Sequence, residues 1–228
     1  MRQRTQQTAM AKANLLIGSW DKALGVKLPF TGPSWYFHKK ALSRLDELGS
    51  PSKALNDDLF FDYLYAALTA WGLHRMGERG AKLSEPDLIR GSFQKVSHHI
   101  ERIQGYRISE LREDQVSEIA DAVSSIIEQL QVSATRTQLV AGSKALHHIL
   151  PKLVPPVDRE YTLRFFFGNT TNAGLDRFSP IFSAYCHIAQ QQKGRILRRL
   201  EEHREWDTSE TKVIDSAIVG FQKLKGKA

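Results

Sequence analysis

The segment LFFDYLYAALTAWGLHRM, residues 59–76, constrains the fold more than any other feature because it is apolar on nearly every side of a helix. A helix that is hydrophobic all round is buried, since none of its faces is suited to water. Asn56, Asp57 and Asp58 precede the segment, and acidic side chains favour the start of a helix. The sequence therefore predicts a central buried helix around which the rest of the chain packs.

Helical spacing of apolar residues continues through most of the chain. Residues 114–131 carry apolar side chains three and four positions apart, which predicts an amphipathic helix. Pro86 and Pro180 each stand where a first helical turn tolerates proline, and Asp207 with Glu210 is typical of a capping pair. Alternating apolar and polar runs are short and lack hairpin turns. These patterns predict an all-α fold.

The length and composition indicate one domain. With 228 residues, of which 41% are hydrophobic, the chain can bury one core and extend it into two helical lobes. We therefore expect a single globular helical domain over residues 1–228. The basic ends near residues 1–10 and 223–228 are expected to be frayed tails.

Charge and cysteine content limit the partners and the compartment. The formal charge is +7, and a basic surface suits a polyanion because neutralised phosphates release counterions. No stretch approaches the roughly 18 apolar residues of a membrane span, and the N-terminus lacks the apolar core of a signal peptide. The single cysteine, Cys186, cannot form an internal disulfide or a cysteine-based zinc cluster. We expect a cytoplasmic monomer that does not contact membranes.

One carboxylate stands out in SKALHHILPKLVPPVDREYTLRFF, residues 143–166. A helix-like piece ends at Pro151, and the two prolines at 155 and 156 hold the residues before them in extended conformations. Asp158 follows at the predicted N-cap of the next helix, where its carboxylate can accept backbone N–H groups and remain ionised. This local chemistry leaves two interpretations open, since Asp158 is either a helix cap alone or a catalytic acid.

The same segment resembles the helix-hairpin-helix DNA glycosylase superfamily. Pro156, Val157 and Asp158 match its Pro-Val-Asp-like turn, whose aspartate is catalytic. The string Ser-Lys-x-Leu-His-x-x-x-Pro-x-Leu-Val-Pro, residues 143–155, is similar to the compact form of this segment in small bacterial relatives. The resemblance implies a two-lobed glycosylase-like bundle with its catalytic segment at about residues 130–168 and Asp158 as the catalytic acid.

The hairpin departs from the family in two respects. The family's Gly-x-Gly turn binds a phosphate through backbone amides, whereas ATRTQLVAG, residues 134–142, keeps only Gly142. Bifunctional members carry a Schiff-base lysine in the hairpin, but Lys144 matches the Ser-Lys of the string rather than that position. The resemblance therefore implies a monofunctional enzyme that uses water. The residues expected at the DNA backbone are Arg136, Thr137, Ser143, Lys144 and Arg159.

The resemblance also places a base pocket between the central buried helix and the helix that bears the aspartate. Aromatic residues at helical spacing are more often core than ligand contacts, and adjacent histidines on a helix point in different directions. No cysteine or acid stands at ligand spacing from the paired histidines, so no metal and no cofactor are expected. The candidates for the base pocket are Tyr63, Trp71, His74, Trp35 and His147.

The implied activity is hydrolysis of the N-glycosidic bond of a base flipped out of double-stranded DNA, which leaves an abasic site. A fixed carboxylate stabilises the positive charge that develops on the sugar. The base stays open between alkylated purines and a modified phage base such as glucosylated hydroxymethylcytosine, the second implying antiviral defence. Two other functions also stay open, a non-catalytic helical DNA-binding module and a protein–protein adaptor.

Overall fold

The structure is a computed structural model that describes residues 2–28, 30, 32–74, 76–77, 80–134, 138–171, 173–202 and 206–226. These residues are helical apart from connecting segments and one antiparallel two-stranded ribbon, which confirms the predicted all-α class. None of the helices in these ranges is long and apolar enough to cross a membrane. The elements are α1 (Arg2–Gly18), α2 (Trp20–Leu24), α3 (Pro33–Leu48), α4 (Pro51–Ala54), α5 (Asp58–Ala70), β1 (Met76–Gly77), β2 (Gly80–Ala81), α6 (Pro86–Lys95), α7 (Ser97–Ile103), α8 (Glu113–Gln129), α9 (Leu139–Ile149), a π-helix (Arg159–Leu163), α10 (Arg164–Phe167), a 3-10 helix (Leu175–Arg177), α11 (Phe178–Gln191), α12 (Lys193–Glu201) and α13 (Glu210–Lys225).

Helix α5 is the predicted apolar helix, and it ends earlier than the sequence pattern does. Asp57 caps its start, because its carboxylate accepts the Phe60 N–H group at 2.7 Å. The helix ends before Trp71 and Gly72, and Gly72 has a φ of 77°, a left-handed conformation that side chains other than glycine rarely adopt. The turn brings Trp71 out of the helix and toward the N-terminal end of α3, where its indole N–H group donates to the Ser34 carbonyl at 3.1 Å.

Helix α13 is buried along residues 210–221 and packs closely against α2. Its cap is Ser209, so the predicted capping pair of Asp207 and Glu210 is wrong. Those two acids instead form ion pairs with Arg199 and Arg107, which tie the start of α13 to α12 and to the loop after α7. The start of this helix is therefore fixed by contacts from distant parts of the chain.

Residues 2–10 belong to a helix rather than to the frayed tail predicted near residues 1–10, and Met1 lies outside the described residues. Helix α1 begins at Arg2 and packs against α11, with Ala9, Ala13 and Leu16 fully buried. Two alanines in this face are small enough for close helix–helix contact, although they give a weak hydrophobic signal in the sequence. At the other end, α13 continues to Lys225.

Candidate active site

Helix α9 holds the turn that leads to Asp158. The Ser143 hydroxyl accepts the Val157 N–H group at 3.1 Å, and His147 Nδ1 donates to the Val154 carbonyl at 2.9 Å. Both side chains are fully buried. Ser143 therefore positions the proline-containing turn from inside the protein, and its predicted contact with the DNA backbone is wrong because no part of it reaches the surface.

Asp158 caps the helix that follows it, as the sequence predicts. Its Oδ1 atom accepts the N–H groups of Glu160 at 2.8 Å and Tyr161 at 3.2 Å. Its own carbonyl accepts the Leu163 N–H group at 2.9 Å, which starts the π-helix, and its N–H group donates to the Thr162 hydroxyl at 3.1 Å. The backbone around the carboxylate is thus fixed by several hydrogen bonds.

The second oxygen of this carboxylate faces a lysine. Lys144 Nζ lies 2.8 Å from Asp158 Oδ2, and the exposed fractions of the two side chains are 9% and 29% respectively. Burial raises the pKa of Asp158, but the charge and hydrogen bond of Lys144, together with the two backbone N–H groups, lower it below its ordinary value. Asp158 is therefore an ionised carboxylate that keeps one accessible side. Lys144 points at this carboxylate and is largely buried beside it, and its contact with the DNA backbone stays a prediction.

Asp158 opens onto an aromatic pocket with a volume of about 260 Å³. Ligand pockets in proteins are typically about 300 to 1,000 Å³, so this one suits a small planar group better than a large ligand. Trp206 is fixed by an N–H donation to the Phe30 carbonyl at 3.2 Å, as Trp71 is fixed by Ser34. The aromatic walls are formed by Phe30, Trp71, Tyr161 and Trp206.

A second acid–lysine pair lines the same aromatic pocket. Lys212 and Asp215, three residues apart on α13, form a buried ion pair. Lys212 Nζ lies 5.3 Å from the ring centre of Trp71 and 5.1 Å from that of Trp206, within the range of cation–π attraction. The aromatic pocket therefore carries two ammonium–carboxylate pairs, Lys144 with Asp158 and Lys212 with Asp215.

A further pocket of about 230 Å³ lies on the other side of the Lys144–Asp158 pair. The two pockets share Trp71, Gly72, Lys144 and Asp158, so the ion pair stands in the wall between them. Lys82 and Arg159 line this second pocket. The guanidinium of Arg159 is exposed and donates to the Thr170 carbonyl at 2.8 Å, which places a cation at the surface where the sequence predicts contact with DNA.

Three histidines form a buried network behind the aromatic pocket. His148 Nδ1 lies 2.8 Å from the Lys144 carbonyl, which can only accept, so this nitrogen carries the proton. His148 Nε2 then accepts from His38 Nδ1 at 3.1 Å, and His38 Nε2 accepts from the Thr208 hydroxyl at 2.9 Å. Burial lowers the pKa of His38, His147 and His148, that of His148 to about 4, so all three are neutral at pH 7. The network holds the backbone of Lys144.

The structure brings together only part of the predicted base pocket. Trp71 lines the aromatic pocket, and Trp35 supports it from behind through a contact with Trp206 at 5.2 Å between ring centres. His147 is sealed beneath the aromatic wall, Tyr63 packs on the core, and His74 is exposed beyond α5, so none of the three lines either pocket. Two residues predicted at the DNA backbone, Arg136 and Thr137, lie outside the described residues.

Several residues of the aromatic pocket carry no clear signal in the sequence. Phe30 and Trp206 come from loops far apart in the chain, and only the fold brings them to Asp158. Lys212 and Asp215 do carry one signal, since two charged residues three positions apart interrupt a helix that is otherwise apolar on several faces. That pattern indicates a buried ion pair, but not the pocket on which it lies.

The described residues contain no group of three or more histidine, cysteine or acidic side chains placed to hold a metal ion. Comparison of the chain with protein-family models, with curated proteins and with solved structures found no match.

Proposed function

We propose that this protein is a monofunctional DNA glycosylase that hydrolyses the bond between a flipped-out base and its deoxyribose. One observation carries the proposal: Asp158 is held ionised by Lys144 and by its own helix, with one side open to an aromatic pocket. A helix cap needs only the backbone contacts. The lysine and the adjoining pocket are additional features that suit a catalytic carboxylate.

The chemistry follows from the charge on Asp158. As the C1′–N bond breaks, its electron pair leaves with the base and positive charge develops on the sugar. A preorganised carboxylate in a partly buried site stabilises this charge and can orient the attacking water. Water bonds through its oxygen to C1′ and keeps one proton in the new hydroxyl group, while the carboxylate takes up the other proton. That proton passes to the departing base anion, so the base leaves as a neutral molecule, Asp158 is again ionised and an abasic site remains.

The ion pair supports water rather than an amine as the nucleophile. A lysine attacks a sugar only as a free amine, whereas the Lys144 side chain donates to Asp158 as an ammonium group. Treatment of a reacting mixture with borohydride should therefore trap no covalent protein–DNA adduct. A trapped adduct that disappears in the Lys144→Ala variant would show a Schiff base and contradict the monofunctional mechanism.

Double-stranded DNA is the partner that this site would require. Flipping a nucleotide out of a duplex costs a few kcal/mol. Stacking of a base on an aromatic side chain contributes about 1 to 3 kcal/mol, so contact with Trp71 and Trp206 can offset that cost. The net charge of +7 and the cations at Lys82 and Arg159 supply the attraction to phosphate.

Two substrate classes are proposed, alkylated purines and a modified phage base such as glucosylated hydroxymethylcytosine, whose glucose would extend beyond the aromatic pocket of about 260 Å³. They imply different roles, base repair in the first case and defence against phages in the second. A protein with the second role should block phages that carry modified DNA and spare those with ordinary bases. A repair enzyme should not distinguish the two kinds of phage.

The test is direct detection of base release. The protein is incubated with duplexes that carry alkylated purines and with host and phage genomic DNA. Released bases are identified by mass spectrometry, and abasic sites are revealed by alkali. We expect release by the wild type and by Glu160→Gln, an exposed neighbouring control, and none by Asp158→Ala. Release that survives Asp158→Ala contradicts the proposal, and salt-sensitive DNA binding without release favours a non-catalytic binding module.

A further inference from the structure

We propose that Lys212 and Asp215 recognise the edge of the flipped-out base, with the base stacked against the aromatic walls of the pocket. The inference rests on the proposed function and adds the part of the site that contacts the base. It assigns different parts of the substrate to the two ion pairs. Asp158, supported by Lys144, faces the sugar, and Lys212 with Asp215 faces the base.

The position of the second pair is the first argument. Lys212 and Asp215 lie in the most deeply buried stretch of α13, and both still line the aromatic pocket. Trp71 is close to both pairs, with its ring centre 5.8 Å from Lys144 Nζ and 5.3 Å from Lys212 Nζ. A planar group that stacks on Trp71 and reaches Asp158 with one end can therefore contact Lys212 with the other.

Stability alone does not explain a charged pair at this position. Removing two charges from water is costly, and well-packed apolar residues of similar size often give equal or greater stability. A pair that is buried from bulk solvent but opens onto a pocket is well suited to bind a polar group that enters that pocket. The aromatic surroundings strengthen this interaction because they exclude water.

The hydrogen-bonding groups match those of a nucleobase. The ammonium group of Lys212 has three N–H donors, of which one is used by Asp215, and a carboxylate accepts more than one hydrogen bond. The pair thus presents donors next to acceptors. Nucleobase edges carry the complementary arrangement, such as an amino group beside a ring nitrogen or an N–H group beside a carbonyl. Donation from Lys212 would also stabilise the negative charge that the base acquires as it leaves.

The test separates contact with the sugar from contact with the base. The probe is a duplex in which one nucleotide is replaced by a pyrrolidine, a cationic mimic of the sugar that carries no base. Its affinity is measured alone and in the presence of free adenine, guanine, cytosine or thymine, of a free methylated purine, or of free 5-hydroxymethylcytosine, by anisotropy and by tryptophan fluorescence. The variant is the double substitution Lys212→Met/Asp215→Leu, which leaves no unpaired buried charge. Lys223→Met, on the same helix but outside the pocket, is the matched control.

We expect at least one free base to tighten binding of the pyrrolidine duplex by the wild type and by Lys223→Met about tenfold, the scale of one stacked and hydrogen-bonded base. The double variant should bind the duplex alone as the wild type does, which also shows that it is folded, and should lose the effect of the base. The inference is overturned if the double variant keeps that effect, or if no base tightens binding by the wild type. Equal affinity of the wild type and Asp158→Asn for the duplex alone would instead contradict the proposed function.

Discussion

Lys144 Nζ lies 2.8 Å from Asp158 Oδ2, while Oδ1 of the same carboxylate accepts two N–H groups of its own helix. The two oxygens are thus held by different parts of the protein, one by α9 and the other by the π-helix. Because α9 is tied to α3 through His38 and His148, and to the turn before Asp158 through His147, the orientation of this carboxylate is determined on both sides.

Replacing Lys144 should change the pH dependence of catalysis. In Lys144→Met the burial that raises the pKa of Asp158 remains, but the charge that most strongly lowers it is lost, so the pKa of Asp158 rises. If Asp158 must be ionised to act, the acid limb of the profile of kcat/KM against pH moves to higher pH. Lys152→Met, an exposed control in the turn before Asp158, should leave the limb in place. An unchanged limb in Lys144→Met would show that the lysine does not control the ionisation of Asp158.

The parts of the site that could be predicted from the sequence are those fixed by neighbouring residues. A proline-containing turn followed by an acid predicts a cap because all the atoms involved lie within a few positions, and the structure confirms it at Asp158. The contact of Lys144 with Asp158 depends on how the intervening turn folds back on α9, which residue spacing alone does not specify. Trp206 and Lys212 reach the aromatic pocket only through the packing of α13, which depends on the whole fold.

The predictions that Ser143 and His147 contact the ligand are wrong because the role of each side chain also depends on how the chain folds. Ser143 and His147 are polar residues beside the predicted catalytic acid, and such residues can face either a ligand or the backbone. Here both are used to satisfy backbone groups of the turn, at Val157 and Val154. Buried backbone N–H and carbonyl groups need partners, and a turn without regular structure has to take them from side chains.

The histidine network should make the fold sensitive to acid. An unfolded histidine has a pKa of about 6.5. In the folded protein the pKa of His38, His147 and His148 is lower, that of His148 about 4, so the unfolded chain binds more protons between these values. The contribution of these neutral histidines to the free energy of unfolding is therefore fully present above pH 6.5. It is lost as the pH decreases toward about 4, by roughly 3 kcal/mol for His148 alone.

Urea denaturation at several pH values between about 7 and 4.5 measures this dependence as a slope of the unfolding free energy against pH. We expect His148→Gln to reduce the slope, because one titrating group is removed, whatever it does to absolute stability. His98→Gln, at an exposed position, should leave the slope unchanged. The same slope in wild type and His148→Gln would indicate that His148 takes up no proton on unfolding in this range.

Gly220 should be essential to the packing of α13 on α2. A Cβ atom at this position would lie 2.0 Å from the Ala23 carbonyl oxygen, and backbone cannot move aside as a flexible side chain can. Gly220→Ala should therefore lower the free energy of unfolding by roughly 3 kcal/mol, the upper range for overpacking. Gly91→Ala is the matched control, since Gly91 lies inside α6 with no atom within 4 Å of the added Cβ. It should raise stability by up to about 1 kcal/mol through helix propensity, as measured by thermal or urea unfolding.

Arg159 should contribute to binding DNA through its charge and not through recognition of a base. Its guanidinium is exposed at the second pocket, and one of its terminal nitrogens is oriented by the Thr170 and Thr171 carbonyls. In Arg159→Gln we expect weaker binding to duplexes of any sequence, and a plot of log affinity against log salt concentration whose slope is smaller by about one. Arg112→Gln removes an exposed arginine that is paired with Asp114 and lines neither pocket, so it should leave the slope unchanged. Because one lost phosphate contact changes the slope by about one regardless of sequence, an unchanged slope in Arg159→Gln would place the bound DNA away from this face.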